Sequence, residues 1–144
     1  MLHFINIWPP FLVAGIRVRW HSACCVDVEM KLRPWNRNYV GTHYGGSLYS
    51  MTDPFYMLML MENLGPGYIV WDKAASIRFR KPGKGKVTAE FRLSDAQLDE
   101  IRDQLATKEK YEPTFPVEVK DETGDVVAEV QKVLHIRKKS ISGD

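Results

Sequence analysis

The chain has 144 residues, of which 44% are hydrophobic and 26% are charged, and its formal net charge is +2. This length and composition predict one soluble globular domain over 1–144, and the small net charge argues against a dedicated nucleic-acid-binding protein. The two cysteines, Cys24 and Cys25, are neighbours in the sequence, so they provide no disulfide framework. They indicate a reducing compartment, and we expect a cytoplasmic protein.

The first predicted element is a short helix within an N-terminal helical segment, 1–15. The run Phe4–Val18 is mostly apolar, but it is shorter than the roughly 20 residues that span a membrane, and Pro9 and Pro10 interrupt it. It also lacks the basic region that begins a signal peptide. We therefore expect an amphipathic helix from Pro9 or Pro10 to Gly15 and no stable membrane insertion. Peripheral membrane contact is the alternative.

A strand pattern and then a long helix follow. Over Ile16–Leu32 the pattern is strand-like, and from Val26 onward apolar residues occupy every second position, as in a strand with one buried face. After a polar loop at Arg33–Thr42, the apolar run Leu48–Leu64 predicts a helix buried on all sides. Gly65, Pro66 and Gly67 end it.

The second half of the chain alternates between strands and tight turns, with one further helix. Ser94 and Gln97 form a capping box that opens this helix, which we place within 94–110. The tail 138–144 is predicted to be frayed and basic. Short connections favour an antiparallel sheet, so we predict an α+β fold with five to six strands curved around one long central helix. The predicted strands are Tyr68–Arg80, Val87–Leu93, Phe115–Val119 and Val126–Arg137.

The segment Asn38–Asp53 carries the strongest functional signal. Gly45 and Gly46 stand at the start of the apolar helix, where bare backbone N–H groups and the helix dipole can stabilise a developing oxyanion. Asp53 follows within reach and could act as a general base or as a nucleophile. This pairing points to acyl transfer. A structural interpretation is that Asp53 caps a helix whose first residue is Pro54.

Other chemistries are less well supported by the sequence. Ser47 lies in no Gly-x-Ser-x-Gly motif, so we reject a serine hydrolase. The histidines and cysteines lack a recognised ligand spacing, and we predict no metal. The methionines of the long helix are core-filling residues that could also leave an adaptable channel for an acyl chain.

The order of strand, loop, Gly-Gly, buried helix and antiparallel strands resembles the hotdog fold. The spacing from Asn38 through Gly45 and Gly46 to Asp53 is similar to that of hotdog acyl-CoA thioesterases of the phenylacetyl-CoA type. The phrase Ile77–Gly83 resembles the strand-ending Phe-x-x-Pro element of that group. The helix within 94–110 is then an insertion. In the family pattern His directly precedes Gly-Gly, whereas this chain has Tyr44 there and His43 one position earlier.

The resemblance implies hydrolysis of an acyl-CoA thioester by a homodimer or a dimer of dimers, with the acyl site between protomers. Asp53, Gly46 and Asn38 would be catalytic, with Asn38 orienting water or the thioester carbonyl. No cofactor is implied, because coenzyme A is part of the substrate. Its phosphates would bind the basic group formed by Arg78, Arg80, Lys81, Lys84 and Lys86. The implied substrate-binding residues are Gly45, Ser47, Tyr44, His43, Arg78, Arg80, Lys81 and Lys84.

Two other functions remain open at this stage. A non-catalytic acyl-CoA-binding or regulatory protein would bind the acyl chain in the same channel beside the long helix but would not hydrolyse it. The replacement of the family's His by Tyr44 favours this alternative. An enoyl-CoA hydratase or dehydratase is the third possibility, although the chain lacks the sequence patterns of those enzymes.

Overall fold

The computed structural model describes residues 4–140, and the last four residues of the predicted tail lie outside this range. A short 3-10 helix, Ile5–Ile7, precedes four α-helices: α1 (Pro9–Ala14), α2 (Gly45–Ser50), α3 (Phe55–Leu64) and α4 (Asp95–Thr107). The seven strands are β1 (Ile16–Ser22), β2 (Cys25–Lys31), β3 (Tyr68–Phe79), β4 (Lys86–Arg92), β5 (Lys110–Tyr111), β6 (Thr114–Lys120) and β7 (Val126–Lys138).

All strands belong to one antiparallel sheet, as predicted. The strand order is β1-β2-β4-β6-β7-β3. The two-residue strand β5 pairs with β7 beyond the end of β6, on the same side of β7 as β6. Strands β1 and β3 are therefore the two edges. The edge of β1 is partly covered, because the Asn6 side chain makes two hydrogen bonds to the backbone of Val18. The edge of β3 has no such partner among residues 4–140.

The sequence Ile16–Leu32 forms a hairpin rather than a single strand. Ser22 pairs with Cys25, so Ala23 and Cys24 form the turn. Ser22 Oγ accepts a hydrogen bond from the Cys24 amide at 3.2 Å. The pattern-based prediction missed this turn because it contains none of the Gly, Pro, Asn or Asp residues that usually mark one.

The predicted helix over Leu48–Leu64 is interrupted. α2 ends at Ser50 and α3 begins at Phe55, with a turn at 51–54 between them. Pro54 explains the break, because proline has no N–H to donate and disfavours helical backbone at the residue before it. α3 is buried on its sheet-facing side, whereas Met61 is 46% exposed.

The core lies between α3 and the concave face of the sheet. Phe55 of α3 contacts Phe91 of β4 with ring centroids 5.0 Å apart. Tyr56 stacks on Phe115 of β6 at 4.9 Å and donates its hydroxyl to the Pro116 carbonyl at 3.1 Å. These contacts fix α3, and hence the turn before it, against β4 and β6.

The two remaining helices lie where the sequence predicts them. α1 begins at Pro9 and ends at Ala14, and its C-cap is Gly15, whose φ of 77° is the left-handed conformation that glycine adopts readily. α4 opens with the predicted capping box, in which Ser94 and Gln97 exchange hydrogen bonds. Of the predicted tail, Lys138 still belongs to β7.

Candidate functional site

Asp53 lies in the turn between α2 and α3, and its side chain is 49% exposed. Its Oδ1 accepts hydrogen bonds from the Tyr49 hydroxyl at 2.9 Å and from Lys132 Nζ at 2.9 Å. Its Oδ2 accepts no hydrogen bond from any residue between 4 and 140. The capping interpretation is wrong, because Pro54 is the N-cap of α3 and no side chain caps that helix. Asp53 is therefore a half-exposed carboxylate that is anchored through one of its two oxygens.

Lys132 is the residue that holds this arrangement together. Its side chain is completely buried in the middle of β7, and its ammonium also lies 3.0 Å from the Tyr49 hydroxyl and 3.1 Å from Asp72 Oδ1. The same ammonium lies 5.1 Å from the centre of the Tyr49 ring. Buried lysines are rare and are normally paired with carboxylates, as this one is.

The charge state of this cluster follows from its contacts. Burial raises the pKa of Asp72 above its usual value, while the ammonium of Lys132 opposes the rise and the Asp53 carboxylate adds to it. Burial lowers the pKa of Lys132, but the hydrogen bonds to Tyr49 and Asp53 and the ion pair with Asp72 outweigh that effect and leave it raised. Burial also raises the pKa of Tyr49. At neutral pH the ammonium is therefore charged and the phenol is protonated.

The interpretation of the sequence missed Tyr49, Lys132 and Asp72, although β7 contains a usable signal. Val130, Lys132 and Leu134 occupy alternate positions, so a lysine stands where the strand pattern places a buried residue. A charged residue at an inward position needs a counter-charge, and the predicted site acid is the obvious candidate.

The glycine pair opens α2, as the sequence suggested. A Cβ on Gly45 would lie 3.0 Å from the Phe79 ring, and a Cβ on Gly46 would lie 2.5 Å from the Tyr44 ring. The missing side chains thus allow two aromatic rings to approach the backbone. Within residues 4–140 the amides of Gly45 and Gly46 have no acceptor, whereas the Ser47 amide donates to the Tyr44 carbonyl at 3.0 Å. Two free amides are left at this helix start.

Asn38 organises the loop before the glycines. Its Oδ1 accepts from the amides of Val40 and Thr42, and its Nδ2 donates to the Thr42 hydroxyl at 2.9 Å and to the His43 carbonyl at 3.3 Å. All polar atoms of the side chain are thereby used within the loop. Asn38 therefore stabilises the loop that leads to His43.

His43 ties this loop to the turn after β3. Its Nε2 lies 2.8 Å from the Gly85 carbonyl, and its amide donates to the Gly83 carbonyl at 3.0 Å. Burial lowers the pKa of His43, and the hydrogen bond to Gly85 opposes that effect only in part. The ring is neutral at physiological pH, with Nε2 carrying the proton that Gly85 accepts. The turn 81–85 is consequently held close to the glycine pair.

The predicted basic group is partly neutralised. Arg80 pairs with Glu129 at 2.6 Å, and Lys81 pairs with Asp121 at 2.6 Å and with Asp125 at 2.8 Å. Arg78 and Lys84 are exposed and make no ion pair with the residues between 4 and 140. Of the four predicted cations, these two have their charge available to a ligand.

An open cleft of about 700 Å³ lies between α1 and the start of α2. Gly46, Ser47 and Ser50 line it on the α2 side, and the exposed Tyr44 ring lies at its rim. The other lining residues are five apolar ones and two polar ones: Pro9, Pro10, Val13, Ala14, Trp35, Asn36 and Arg37. The methionines of α3 do not line this cleft. An apolar chain can therefore lie beside Gly46.

Residues 4–140 contain neither a metal-binding cluster nor a membrane-spanning helix. No group of three or more His, Cys, Asp or Glu side chains is arranged to hold a metal ion, and no helix in this range has both the length and the apolar character to cross a bilayer. Cys24 and Cys25 are both free thiols.

Comparison with known proteins places this arrangement in a family. The sequence profile of the family described as a domain of unknown function, DUF4442, matches residues 2–136. No curated protein matches the sequence.

Several solved structures share the fold. A Pseudomonas aeruginosa protein of unknown function, PA5026, described as a probable thioesterase, is 22% identical, with 95% of this chain and 93% of that chain covered and a TM-score of 0.84. A Haemophilus influenzae thioesterase, HI1161, is 14% identical over 93% and 87% of the two chains, with a TM-score of 0.66. The Escherichia coli PaaI protein of the phenylacetic acid degradation operon is 16% identical over 92% and 85%, with a TM-score of 0.63. These likenesses confirm the predicted hotdog fold.

Proposed function

Because the chain belongs to the DUF4442 family and has the hotdog fold, we propose that it is a cytoplasmic enzyme that hydrolyses an acyl-CoA thioester. It needs no metal or cofactor of its own. The names of the structurally similar thioesterases support this reaction class. The observation that carries the proposal is the Asp53 carboxylate, whose Oδ1 is anchored by two donors while its half-exposed side chain leaves Oδ2 open.

In the proposed reaction the thioester carbonyl oxygen accepts a hydrogen bond from the Gly46 amide, which stabilises the negative charge that develops there. Asp53 Oδ2 removes a proton from a water molecule as the water oxygen attacks the carbonyl carbon. The tetrahedral intermediate then collapses, the carbon–sulfur bond breaks, and the thiolate of coenzyme A receives the proton from Asp53. In the second route Oδ2 attacks the carbon directly, the carbon–sulfur bond breaks, and the thiolate of coenzyme A leaves and takes a proton from water. A second water molecule then hydrolyses the mixed anhydride and restores the Asp53 carboxylate. Both routes require the same free oxygen.

The surrounding residues suit the two ends of this substrate. The cleft beside Gly46 would take the acyl chain or the pantetheine arm against its apolar wall, with Ser47 and Tyr44 at the polar side. Arg78 and Lys84 would bind the phosphates of coenzyme A. His43 holds the turn that carries Lys84 beside the glycine pair. Asn38 acts through the loop that it organises.

We propose that each active site is completed by a second copy of the chain. Gly46 opens α2 and lines the cleft, whereas Asp53 lies in the turn beyond the end of α2 and is not among the residues that line the cleft. The open edge of β3 offers a pairing surface, since Asn6 covers the other edge. Asp53 lies next to β3 through Lys132 and Asp72. A β3–β3 dimer would place the acid of one protomer near the glycine pair of its partner.

Mixing two inactive variants tests this shared site. Asp53→Asn removes the base and Gly46→Val crowds the amide, so each alone is expected to be inactive. After subunit exchange, half of the dimers are mixed and one of their two sites has neither defect, which predicts about a quarter of wild-type turnover. Light scattering should give twice the mass of one chain. A mixture that stays inactive although mixed dimers form would show that Gly46 and Asp53 act within one protomer.

The proposed activity is tested with a panel of acyl-CoA thioesters and a thiol-detecting reagent. Release of free coenzyme A thiol is the expected result. Acyl-CoA binding by calorimetry without any thiol release would support the regulatory protein instead. Addition of water to an enoyl-CoA without thiol release would identify a hydratase.

A further inference from the structure

We propose that Asp72 is a positioning residue that controls the charge of Asp53 through Lys132. This inference rests on the proposed thioester hydrolysis, because Asp72 would favour the step in which Asp53 takes a proton from water. Asp72 itself contacts no reacting group. It acts by sharing the ammonium that Asp53 also uses.

The contacts of Lys132 define the cluster. Its ammonium has three N–H groups, and three oxygen atoms lie within 3.1 Å of it: Asp53 Oδ1, the Tyr49 hydroxyl and Asp72 Oδ1. The first two are aligned as hydrogen bonds, whereas Asp72 Oδ1 is placed as an ion pair without hydrogen-bond alignment. One buried positive charge therefore serves two carboxylates that come from different parts of the fold.

An irregularity in β3 brings Asp72 to this position. The pairing of β3 with β7 shifts between Asp72 and Ala74. Asp72 lies opposite Leu134, and Ala75, three residues further along β3, lies opposite Lys132, only two residues away on β7. Residues opposite each other in an antiparallel pair point to the same face, so Asp72 shares the inward face with Leu134 and is the diagonal neighbour of Lys132. Bulges of this kind re-aim side chains and are common near active sites.

Charge balance gives Asp72 its role. With both carboxylates ionised, the cluster carries a net charge of −1, and it becomes neutral when Asp53 accepts a proton from water. Without the Asp72 charge the cluster would start neutral and become positive, which is unfavourable in a partly buried place. Asp72 therefore makes proton uptake by Asp53 easier.

The groups that face Asp53 are few. Among the described residues, Tyr49 of α2 and Lys132 of β7 make the hydrogen bonds to its carboxylate, and Asp72 of β3 acts through Lys132. Tyr49 stays protonated over the working range because its pKa is raised. Removal of the Asp72 carboxylate therefore changes the net charge of the cluster around Asp53.

The test compares Asp72→Asn with Asp72→Glu, which keeps the charge, and with Asp27→Asn, which removes a carboxylate from an ion pair on β2. We expect Asp72→Asn to lower kcat roughly tenfold with KM changed less than about twofold, and to move the acid limb of the rate profile to lower pH. Asp72→Glu and Asp27→Asn should leave the acid limb of the pH–rate profile where it is in the wild type. A loss confined to KM, or an unmoved limb, would overturn the inference.

Carboxyl carbon NMR makes the inference testable without turnover. In the resting protein, the titration midpoint of the Asp53 carboxyl should be lower in Asp72→Asn than in the wild type and unchanged in Asp27→Asn. An unchanged midpoint overturns the role of Asp72 whatever the assay shows. If the wild type hydrolyses no acyl-CoA but the midpoint moves, the hydrolase proposal fails and the coupling of the two carboxyl groups stands. Should Asp72→Asn not fold, Asp72→Ser removes the same charge from a smaller side chain.

Discussion

Replacing Asp53 with asparagine is expected to lower kcat by about 10³-fold, within the range that general base catalysis contributes. Asparagine has the same shape, and its carbonyl oxygen can still accept from Tyr49 and Lys132, but it can neither take a proton from water nor attack the thioester. KM and the affinity for a non-hydrolysable acyl-CoA analogue should change little. Thiol release measures kcat and KM, calorimetry measures the affinity, and thermal unfolding checks that the variant is folded.

Glu62→Gln is the matched control for this prediction. Glu62 is exposed on α3, close in sequence to the site, and the substitution makes the same change from carboxylate to amide. Its kcat should equal that of the wild type. An Asp53→Asn variant that retains more than about a tenth of wild-type kcat would leave this carboxylate without the role of base or nucleophile.

The fold could be predicted from the sequence because its strands follow a period of two over long stretches. The predicted long strand Val126–Arg137 corresponds to β7, and the capping box at Ser94 marks α4 by local chemistry alone. The hairpin turn at Ala23 and Cys24 could not be predicted in the same way. It is stabilised by the Ser22 side chain and by pairing with β4, and neither leaves a local sequence signal.

The candidate site was predictable only in part, because its charges come together through tertiary structure. Asp53 follows the glycine pair in sequence, whereas Lys132 reaches it from β7 and Asp72 from a shifted register in β3. A register shift moves a side chain without changing the composition of the strand. The predicted docking cations show the reverse error, since Arg80 and Lys81 form a dense basic run in sequence but are paired with carboxylates of β7 and the turn before it.

Lys132→Met is expected to destabilise the protein by about 3 kcal/mol at neutral pH, which is the lower end of the cost of removing one partner from a buried ion pair. Methionine fills nearly the same volume, so the loss is electrostatic rather than a packing defect. Asp72 accounts for most of it, because its side chain is 22% exposed whereas that of Asp53 is 49% exposed and can be hydrated. In a domain of this size the change corresponds to a fall in Tm of roughly 10 °C.

The pH dependence of this loss distinguishes an ion-pair effect from a packing effect. The pKa of Asp72 is raised in the folded protein, so its ionisation costs folding free energy as pH rises through that pKa. In Lys132→Met the ammonium no longer lowers the pKa of Asp72, so ionisation of Asp72 in the folded protein costs more free energy. The difference in unfolding free energy between wild type and Lys132→Met should therefore be small near pH 3 and reach its full value at neutral pH. In the wild type, the contribution of Lys132 is lost only in strongly alkaline solution, because its pKa is raised.

Lys120→Met provides the comparison for a surface ion pair. Lys120 is exposed and lies 3.3 Å from Glu118, and such pairs contribute about 0–1 kcal/mol. Urea unfolding at pH 3 and pH 7 should show a pH-dependent loss for Lys132→Met and almost none for Lys120→Met. A loss for Lys132→Met that is equal at both pH values would mean that the lysine acts by filling space. Asp53 would then lack the electrostatic anchor on which the proposed chemistry depends.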